Sequence, residues 1–292
     1  MNILPTDQWT YPMLWKMLEE RYGMNEAKAV VRYLLEMKYG LSLADILCEK
    51  THSVDSHMLS KDMDRLCEGV LVQYVVGKTL FAGRCFEVSS DVLIPREETA
   101  ELCRWITEEW KNDCCRILDV GTGCGCIAIT LSLDIPGSQV VAWDISEGAL
   151  SVARKNASAL HAEVVFQQRD ILQAQDVAQP VSDKYDIIVS NPPYICYQER
   201  DEVDEHVLNN EPSLALFVPD NDPLLFYRAI MDYAKHVLKD TGMIYFEINP
   251  HHVEALQQLG MAMGFTLQEV RQDSFGKLRM LRLQREKTDN HQ

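Results

Sequence analysis

Hydrophobic residues in the first eighty positions recur at the three- and four-residue spacing of amphipathic helices. One such pattern follows Asn25, which we expect to cap the helix, and stops at Gly40. A second runs over residues 60–70, and shorter pieces occupy residues 9–22 and 43–50. The pattern predicts a small helical bundle, and this part of the sequence contains no motif with recognisable chemistry.

The spacing of hydrophobic residues changes at Leu80. Residues 81–88 place aromatic and β-branched side chains around a glycine, which is typical of a β-hairpin. From Thr99 onward, helical patterns alternate with short apolar runs, as in a mainly parallel sheet covered by helices on both faces. The predicted elements are helix 99–110, strand 116–120, helix 127–133, strand 140–144, helix 147–160, strands 164–167 and 185–190, helix 224–237, strand 243–248 and helix 253–263.

Two apolar runs end the pattern, at residues 266–270 and 278–283. The turn between them is too short for a crossover helix, so we expect them to pair antiparallel and close the sheet. The predicted fold class is therefore α/β, with a Rossmann-like seven-stranded sheet after a small helical bundle. The predicted divisions are a helical domain at 1–78, a linking β-hairpin at 79–95, the α/β domain at 96–286 and a polar tail at 287–292.

The charge of the chain restricts the partners that it is expected to bind. Its 292 residues carry 28 Lys and Arg against 44 Asp and Glu, a formal net charge of −16. Proteins that bind nucleic acid directly normally present a basic surface. Because this chain is acidic, direct binding of nucleic acid is disfavoured. No apolar run approaches the roughly 18 residues of a membrane span, and the N-terminus lacks the pattern of a signal peptide. We expect a cytoplasmic protein without a membrane partner.

Nine cysteines, an odd number that lies mostly within apolar patterns, indicate reduced and mainly buried thiols. Only Cys114, Cys115, Cys124 and Cys126 cluster closely enough in sequence to suggest zinc. Structural zinc sites favour two to four residues between paired cysteines, and the second pair here belongs to a glycine-rich turn. We therefore expect no metal site.

A glycine-rich turn, Gly121-Thr-Gly-Cys-Gly125, directly follows the predicted strand 116–120. Glycines at this place let the backbone turn sharply and approach a ligand at the carboxyl end of the strands. The dinucleotide-binding pattern G-x-G-x-x-G requires glycine where Cys126 stands, so NAD is disfavoured. A G-x-G-x-G turn preceded by an acidic residue, here Asp119, resembles instead the first motif of the S-adenosylmethionine-dependent methyltransferases.

Two further acidic residues end the next two predicted strands. Asp144 stands where a carboxylate can accept two hydrogen bonds from ribose hydroxyl groups, and the alternative is that it caps the following helix. Asp170 stands where such folds meet the adenine amino group, and the alternative is a simple turn at the end of the strand. Both residues are candidates for contact with a nucleoside.

The sequence Asn191-Pro-Pro-Tyr194 follows the predicted strand 185–190. The prolines restrict the backbone and lack N–H groups, so the Asn191 side chain and the Pro192 carbonyl can direct two acceptors at one planar NH₂ group. Two acceptors orient the lone pair of that nitrogen and stabilise the positive charge that develops on it. Tyr194 is expected to cover the flat target as an aromatic wall. The alternative is a proline-rich turn that serves only the fold.

An Asn-Pro-Pro-Tyr loop resembles two groups of enzymes, the amino-methyltransferases of nucleic acid and the glutamine N5-methyltransferases of peptide chain release factors. The flanking motifs resemble the second group over residues 70–285. These motifs are Gln73-Tyr-Val-Val-Gly77, Phe81-x-Gly-x-x-Phe-x-Val88, Val92-Leu-Ile-Pro-Arg-x-Glu-Thr99, Glu211-Pro-x-x-Ala-Leu216 and Phe226-Tyr-Arg-x-Ile230. An enzyme acting on nucleic acid remains the alternative, and the net charge of −16 disfavours it.

The resemblance implies a reaction, a cofactor and a partner. A methyl group would pass from S-adenosyl-L-methionine, leaving S-adenosyl-L-homocysteine, to N5 of the glutamine in a Gly-Gly-Gln tripeptide. The implied partner is a class I release factor docked by the helical domain, and we expect a monomer. The implied cofactor contacts are Asp119, Gly121, Thr122, Gly123, Cys124, Gly125, Asp144, Asp170, Ile171 and Asn191. The implied catalytic and substrate-binding residues are Asn191, Pro192, Pro193 and Tyr194.

Several polar residues remain without an assigned function. Arg96 has two interpretations, a contact with substrate or cofactor and an ion pair with an adjacent carboxylate. The functions of Thr99 and Glu247 stay open. His206, His251 and His252 have neither a carboxylate partner nor metal-ligand spacing in the sequence, so we assign them no function.

Overall fold

The computed structural model of the chain describes residues 9–176 and 184–286. It forms two compact units. One runs through Thr79 and includes Val88–Ser90 and Asp204–Asn210, and the other comprises Leu80–Glu87, Asp91–Val203 and the chain from Glu211 onward. The predicted polar tail at 287–292 lies outside the described residues.

The first unit is a helical bundle, as predicted. Its helices within the N-terminal segment are α1 (Tyr11–Tyr39), α2 (Leu43–Leu47), α3 (Ser56–Cys67) and α4 (Val72–Val76). Leucine, valine and isoleucine side chains from all four helices form one buried core. An ion pair between Lys38 Nζ and Asp62 Oδ1, 2.7 Å apart, joins α1 to α3.

The prediction that Asn25 caps a helix is wrong. Helix α1 begins earlier, where the Thr10 hydroxyl accepts a hydrogen bond from the Met13 N–H. The backbone leaves helical geometry only at Gly23, at φ 72°, and Asn25 lies inside the helix that resumes there. The predicted end at Gly40 is confirmed, because Gly40 adopts the left-handed conformation that ends many helices.

The predicted hairpin is confirmed and begins slightly earlier than expected. Strands β1 (Lys78–Phe81) and β2 (Arg84–Glu87) pair with each other. The two residues between them, Ala82 and Gly83, both have positive φ, the conformation that matches the twist of a tight hairpin.

The second unit contains the seven-stranded sheet. Its strands, with two short ones, are β3 (Arg116–Val120), β4 (Gln139–Asp144), β5 (Val164–Gln168), β6 (Tyr185–Ser190), β7 (Ile195–Cys196), β8 (Phe217–Val218), β9 (Leu238–Glu247), β10 (Phe265–Gln272) and β11 (Leu278–Arg285). The order is β10-β11-β9-β6-β3-β4-β5, with β7 and β8 paired separately. The five strands from β9 to β5 are parallel, and β11 and β10 are antiparallel, which confirms the predicted fold class.

The remaining helices are α5 (Glu97–Trp110), α6 (Cys126–Asp134), α7 (Glu147–Leu160), α8 (Glu205–Asn210), α9 (Leu225–Val237) and α10 (Val253–Ala262). Of these, α5 precedes the first strand of this sheet, α8 is short, and the other four connect its strands. Because β3, β4, β5 and β6 are parallel, their carboxyl ends meet at one edge of the sheet. Among the described residues, none of the helices is long and apolar enough to cross a membrane.

Helix α8 belongs to the helical unit, whereas the sequence analysis places residues 204–210 in the α/β domain. The Asn210 amide donates a hydrogen bond to the Gly69 carbonyl, at 3.0 Å. The His206 ring stacks on Tyr22, with 4.9 Å between the ring centres. These contacts join residues far apart in sequence, and therefore the order of motifs along the chain gives no sign of them.

Candidate active site

A cleft of about 240 Å³ opens at the carboxyl ends of the parallel strands. Its lining residues come from the segment before α5 and the first turn of that helix, the glycine-rich loop after β3, the ends of β4 and β5, the loop after β6, and the segments that contain Pro212 and Phe226. All of these segments belong to the second unit. The topology therefore brings the predicted cofactor and catalytic motifs to one place.

The glycine-rich loop divides into a part that lines the cleft and a part that packs behind it. Gly121, Thr122, Gly123 and Cys124 line the cleft, whereas Gly125 is not among its lining residues. All three glycines have positive φ: 75°, 55° and 84° in chain order. A Cβ atom on Gly125 would lie 2.9 Å from Ile129 Cδ1 and 3.2 Å from Ala153 Cβ. Gly125 therefore permits close packing between the loop and the helices behind it.

Asp119 lies beneath the loop and does not line the cleft. Its side chain is fully buried, and Oδ2 accepts hydrogen bonds from the Thr122 hydroxyl at 2.6 Å and from the Ala128 N–H at 3.2 Å. Burial raises the pKa of Asp119 to about 7. Asp119 is fully buried and its hydrogen bonds go to Thr122 and Ala128, so the geometry gives it the task of fixing the loop instead of the expected direct contact with a cofactor.

Asp144 lines the cleft at the end of β4. Its two oxygens accept hydrogen bonds from the Gly123 and Ser146 N–H groups, each at 2.9 Å. Helix α7 is capped by Ser146, whose hydroxyl accepts from the Ala149 N–H, so the alternative that Asp144 caps this helix is wrong. Burial raises the pKa of Asp144. Each carboxylate oxygen can accept two hydrogen bonds, which leaves acceptor capacity for a ligand.

Asp170 and Ile171 both line the cleft beyond β5. The Asp170 Oδ1 atom also accepts a hydrogen bond from the Leu172 N–H at 2.9 Å. Asp170 therefore also forms a turn at the end of the strand, which was its alternative interpretation. Ile171 is buried and contributes an apolar surface. This part of the cleft combines a carboxylate with a flat apolar contact, which suits a purine ring and its amino group.

Asn191, Pro192 and Pro193 line the cleft, whereas Tyr194 does not. Tyr194 packs against the hydrophobic core of the second unit, and its hydroxyl donates to Glu247 Oε1 at 3.2 Å. Burial raises the pKa of this hydroxyl well above its ordinary value. Tyr194 is therefore partly buried, anchored by Glu247, and does not contribute the expected aromatic wall to this cleft.

Asn191 is hydrogen-bonded to Thr99, which in turn contacts Glu247, and neither residue has a function assigned from sequence. Its Nδ2 atom donates a hydrogen bond to the Thr99 hydroxyl at 3.2 Å. Thr99 in turn donates to Glu247 Oε2 at 2.6 Å. Thr99 and Glu247 are both buried, and Thr99 also lines the cleft.

Arg96 pairs with Glu211, a carboxylate far from it in sequence. Glu211 is buried, its pKa is raised by burial, and its Oε1 atom accepts from the Ile94 N–H at 2.9 Å. Arg96 also lines the cleft together with the neighbouring Pro212. The ion pair thus joins the segment before α5 to the Glu-Pro motif and shapes the cleft wall.

Other lining residues were not predicted individually. Val92, Pro212 and Phe226 lie within the motifs that carried the family resemblance, so a signal for them existed. Ile145 and Leu172 line the cleft and belong to no such motif. They were missed because an apolar residue after a strand looks the same whether it faces a ligand or the core.

The cysteine cluster considered for zinc is not brought together as a ligand set in the part of the chain that the structure describes. There, possible ligand atoms of Cys196, Glu199 and His252 lie within 4.8 Å of one another. Glu199 Oε2 already accepts a hydrogen bond from the Cys196 N–H at 2.7 Å, which fixes the chain after the Asn-Pro-Pro-Tyr loop.

Comparisons with known proteins show the class to which this fold belongs. The family model named "Methyltransferase small domain" matches residues 100–214. A solved structure of the hMettl16 catalytic domain, in complex with an RNA hairpin of the MAT2A 3′UTR, superposes with a TM-score of 0.51 at 17% identity. It covers 70% of this chain and 76% of that chain, and at this identity it supports the fold alone. Fold and site together define a methyltransferase.

Sequence relatives identify the family. The release factor glutamine methyltransferase of Bacteroides thetaiotaomicron is 41% identical over 267 residues, 90% of this chain and 95% of that protein. The protein of the same name from Flavobacterium psychrophilum is 38% identical over 271 residues, 90% of this chain and 93% of that protein. The chain belongs to the release factor glutamine methyltransferase family.

Proposed function

We propose that this methyltransferase transfers a methyl group from S-adenosylmethionine to the side-chain N5 atom of glutamine in the Gly-Gly-Gln tripeptide of a class I release factor. The observation that carries the proposal is the position of Asn191 and Pro192 on the wall of the cleft that the glycine-rich loop and Asp144 also line. A donor site and an amide-binding loop that share one cleft suit direct transfer between their ligands.

The residues present fit S-adenosylmethionine. Asp144 accepts backbone hydrogen bonds from Gly123, Ser146 and Ile145, and a carboxylate has about four acceptor positions, so capacity remains for a ribose hydroxyl group. Gly121 and Gly123 present no side chain to the cleft, and a Cβ atom on either would have no neighbour within 4 Å. Asp170 and Ile171 provide an acceptor and an apolar contact for adenine. When bound, the cofactor supplies an electrophilic methyl group on a sulfonium.

The protein's own contribution to the reaction is orientation of the acceptor amide. Asn191 Oδ1 and the Pro192 carbonyl accept hydrogen bonds from the two N–H groups of the substrate side chain. They hold the amide plane so that the nitrogen lone pair, which is perpendicular to that plane, faces the methyl carbon. These acceptors also stabilise the positive charge that develops on nitrogen. No strong base is required before transfer, because the N–H proton becomes acidic only as the N–C bond forms.

The helical unit is proposed to dock the release factor, and the enzyme is proposed to act as a cytoplasmic monomer. The net charge of −16 supports a protein partner over bare nucleic acid, since the latter needs compensating positive charge.

The function is tested by incubating the protein with S-adenosylmethionine and a purified release factor, then locating added methyl by peptide mass spectrometry. One methyl group on the glutamine of Gly-Gly-Gln is expected. Asn191→Ala should abolish most of the transfer and leave cofactor affinity, measured by calorimetry, nearly unchanged. Asn112→Ala, which alters an exposed turn residue, is the matched control and should be fully active. Methyl transfer to nucleic acid with an unmodified release factor would contradict the proposal.

A further inference from the structure

Three hydrogen bonds connect the Asn-Pro-Pro-Tyr loop to the buried carboxylate of Glu247. Asn191 Nδ2 donates to Thr99 Oγ1, Thr99 donates to Glu247 Oε2, and Tyr194 donates to Glu247 Oε1, at 3.2, 2.6 and 3.2 Å. Thr99 lies in the first turn of α5 and Glu247 at the end of β9, 148 residues later. Both ends of the Asn-Pro-Pro-Tyr loop are therefore tied to one buried group.

The direction of each hydrogen bond follows from the chemistry of the groups. An ionised carboxylate can only accept hydrogen bonds, so the single hydroxyl hydrogen of Thr99 is donated to Glu247. Thr99 can then only accept from Asn191. The atom of Asn191 that faces Thr99 must be its NH₂ group, which leaves Oδ1 without a hydrogen bond to any residue that the structure describes.

We propose that Thr99 and Glu247 are positioning residues that fix the orientation of the Asn191 amide, so that its oxygen and not its nitrogen is presented to the substrate. The inference rests on the proposed function, in which Oδ1 accepts an N–H of the substrate glutamine. If the Asn191 amide were reversed, its NH₂ group would face an N–H group of the substrate glutamine. The hydrogen bond that orients the lone pair of the substrate nitrogen would then be lost. The residues act through Asn191 and do not themselves participate in the transfer.

The charge state of Glu247 is set by its surroundings. Burial raises its pKa to about 6, opposed by the hydrogen bonds from Thr99 and Tyr194. Glu98 at the start of α5 raises the pKa further, and Arg279 of β11 lowers it. From α9, the Tyr227 hydroxyl donates to the backbone carbonyl of Glu247, at 3.0 Å.

The protonation of Glu247 therefore changes the chain of hydrogen bonds. A protonated carboxyl can donate to Thr99, which frees the Thr99 hydrogen to point at Asn191 and favours the reversed amide. Glu247 is ionised above its pKa, so the productive orientation is present at pH 7 to 8 and is lost as the pH falls through about 6.

The experiment measures kcat for release-factor methylation and the cofactor Kd in five variants of the full chain. Thr99→Val and Glu247→Gln should each lower kcat about 10- to 100-fold and leave the Kd for S-adenosylmethionine within twofold of wild type. Thr99→Ser, which retains the hydroxyl, should recover most of kcat. Thr107→Val makes the same substitution two turns later in α5, where the hydroxyl is buried without a partner among the described residues, and should have no effect.

Two readouts separate positioning from a general structural effect. The double variant that combines Thr99→Val with Glu247→Gln should have a kcat no more than about threefold below that of Thr99→Val, because Glu247 acts on Asn191 through Thr99. In wild type, kcat should fall below about pH 6, whereas in Thr99→Val this dependence should disappear. Thermal midpoints identify any variant that misfolds, and if Glu247→Gln does, the Thr99→Val and Thr99→Ser pair with its pH profiles decides the question.

Three results would overturn the proposal. The first is a double variant whose loss of kcat is the product of the two single losses. The others are a Thr99→Val variant with the wild-type pH profile and a Thr99→Val variant with full activity. The wild-type protein separates this result from failure of the proposed function. If wild type does not methylate the release factor, the function is wrong. If wild type is active and Thr99→Val matches it, only the positioning inference is wrong.

Discussion

Two glycines of the same loop should respond differently to the same substitution. Gly125→Ala would place a methyl group 2.9 Å from Ile129 Cδ1 and 3.2 Å from Ala153 Cβ, at a residue with φ 84°. The left-handed backbone costs a residue with a Cβ about 1–2 kcal/mol, and overpacking adds about 1–3 kcal/mol. We expect Gly125→Ala to lower the free energy of unfolding by about 2–5 kcal/mol.

Gly123→Ala is the matched comparison. Gly123 also has positive φ, at 55°, but its added methyl group would meet nothing within 4 Å on the side of the cleft. The cost in stability should therefore be limited to the backbone contribution, about 1–2 kcal/mol. The methyl group would instead occupy space that the cofactor needs, and we expect the Kd for S-adenosylmethionine to rise at least about 10-fold, which corresponds to roughly 1.4 kcal/mol.

Urea unfolding followed by circular dichroism measures the first quantity, and calorimetric titration with S-adenosylmethionine measures the second. Gly125→Ala should show the larger loss of stability and retain cofactor affinity, whereas Gly123→Ala should show the smaller loss of stability and bind S-adenosylmethionine more weakly. Equal stability of the two variants would refute the packing argument. Unchanged cofactor affinity in Gly123→Ala would refute the assignment of this face of the loop to the cofactor.

Three further predictions follow from buried charges. Asp144→Asn replaces an acceptor of two backbone N–H groups with a side chain that also donates, and should raise the Kd for S-adenosylmethionine about 10- to 100-fold in calorimetry, with Asp170→Asn a weaker variant of the same kind. Asp119 has a pKa near 7 in the folded protein, above its ordinary value of 3.8, so stability should rise by up to about 4 kcal/mol as the pH falls from 7 toward 4. In Asp119→Asn, urea unfolding at several pH values should show this dependence reduced, and an unchanged dependence would assign it to other groups. Arg96→Ala removes the partner of buried Glu211 and should cost about 1–3 kcal/mol, a range reduced because the Arg96 side chain is 37% exposed. Adding Glu211→Gln should restore part of that loss, and no recovery would count against the ion pair as its cause.

The features that sequence predicted best are those carried by contiguous residues. The glycine-rich turn and the Asn-Pro-Pro-Tyr loop each follow a strand directly, and in a parallel sheet the carboxyl ends of neighbouring strands meet at one edge. This rule alone predicts that Asp144 and Asn191 lie at the same edge, and both line the cleft there.

The features that sequence could not predict depend on packing between distant segments. Neither Thr99 nor Glu247 has a local signal for the contact that joins them, because the pairing of α5 with the end of β9 is a property of the folded sheet. The same reason explains Tyr194: its place in the Asn-Pro-Pro-Tyr motif indicates the substrate, whereas in the fold it is partly buried and packs against the core. The two-residue strands β7 and β8 are too short to produce any periodicity.

The path of the chain through α8 has a consequence for dissecting the protein genetically. The chain leaves the α/β unit after Val203, contributes Asp204–Asn210 to the helical unit, and returns at Glu211. A gene fragment ending at Thr79 would therefore encode a helical unit without the residues that contact Gly69 and Tyr22. The two units cannot be exchanged between related enzymes at a single junction, and an intact chimera requires Val88–Ser90 and the short helix to be exchanged together with the N-terminal segment.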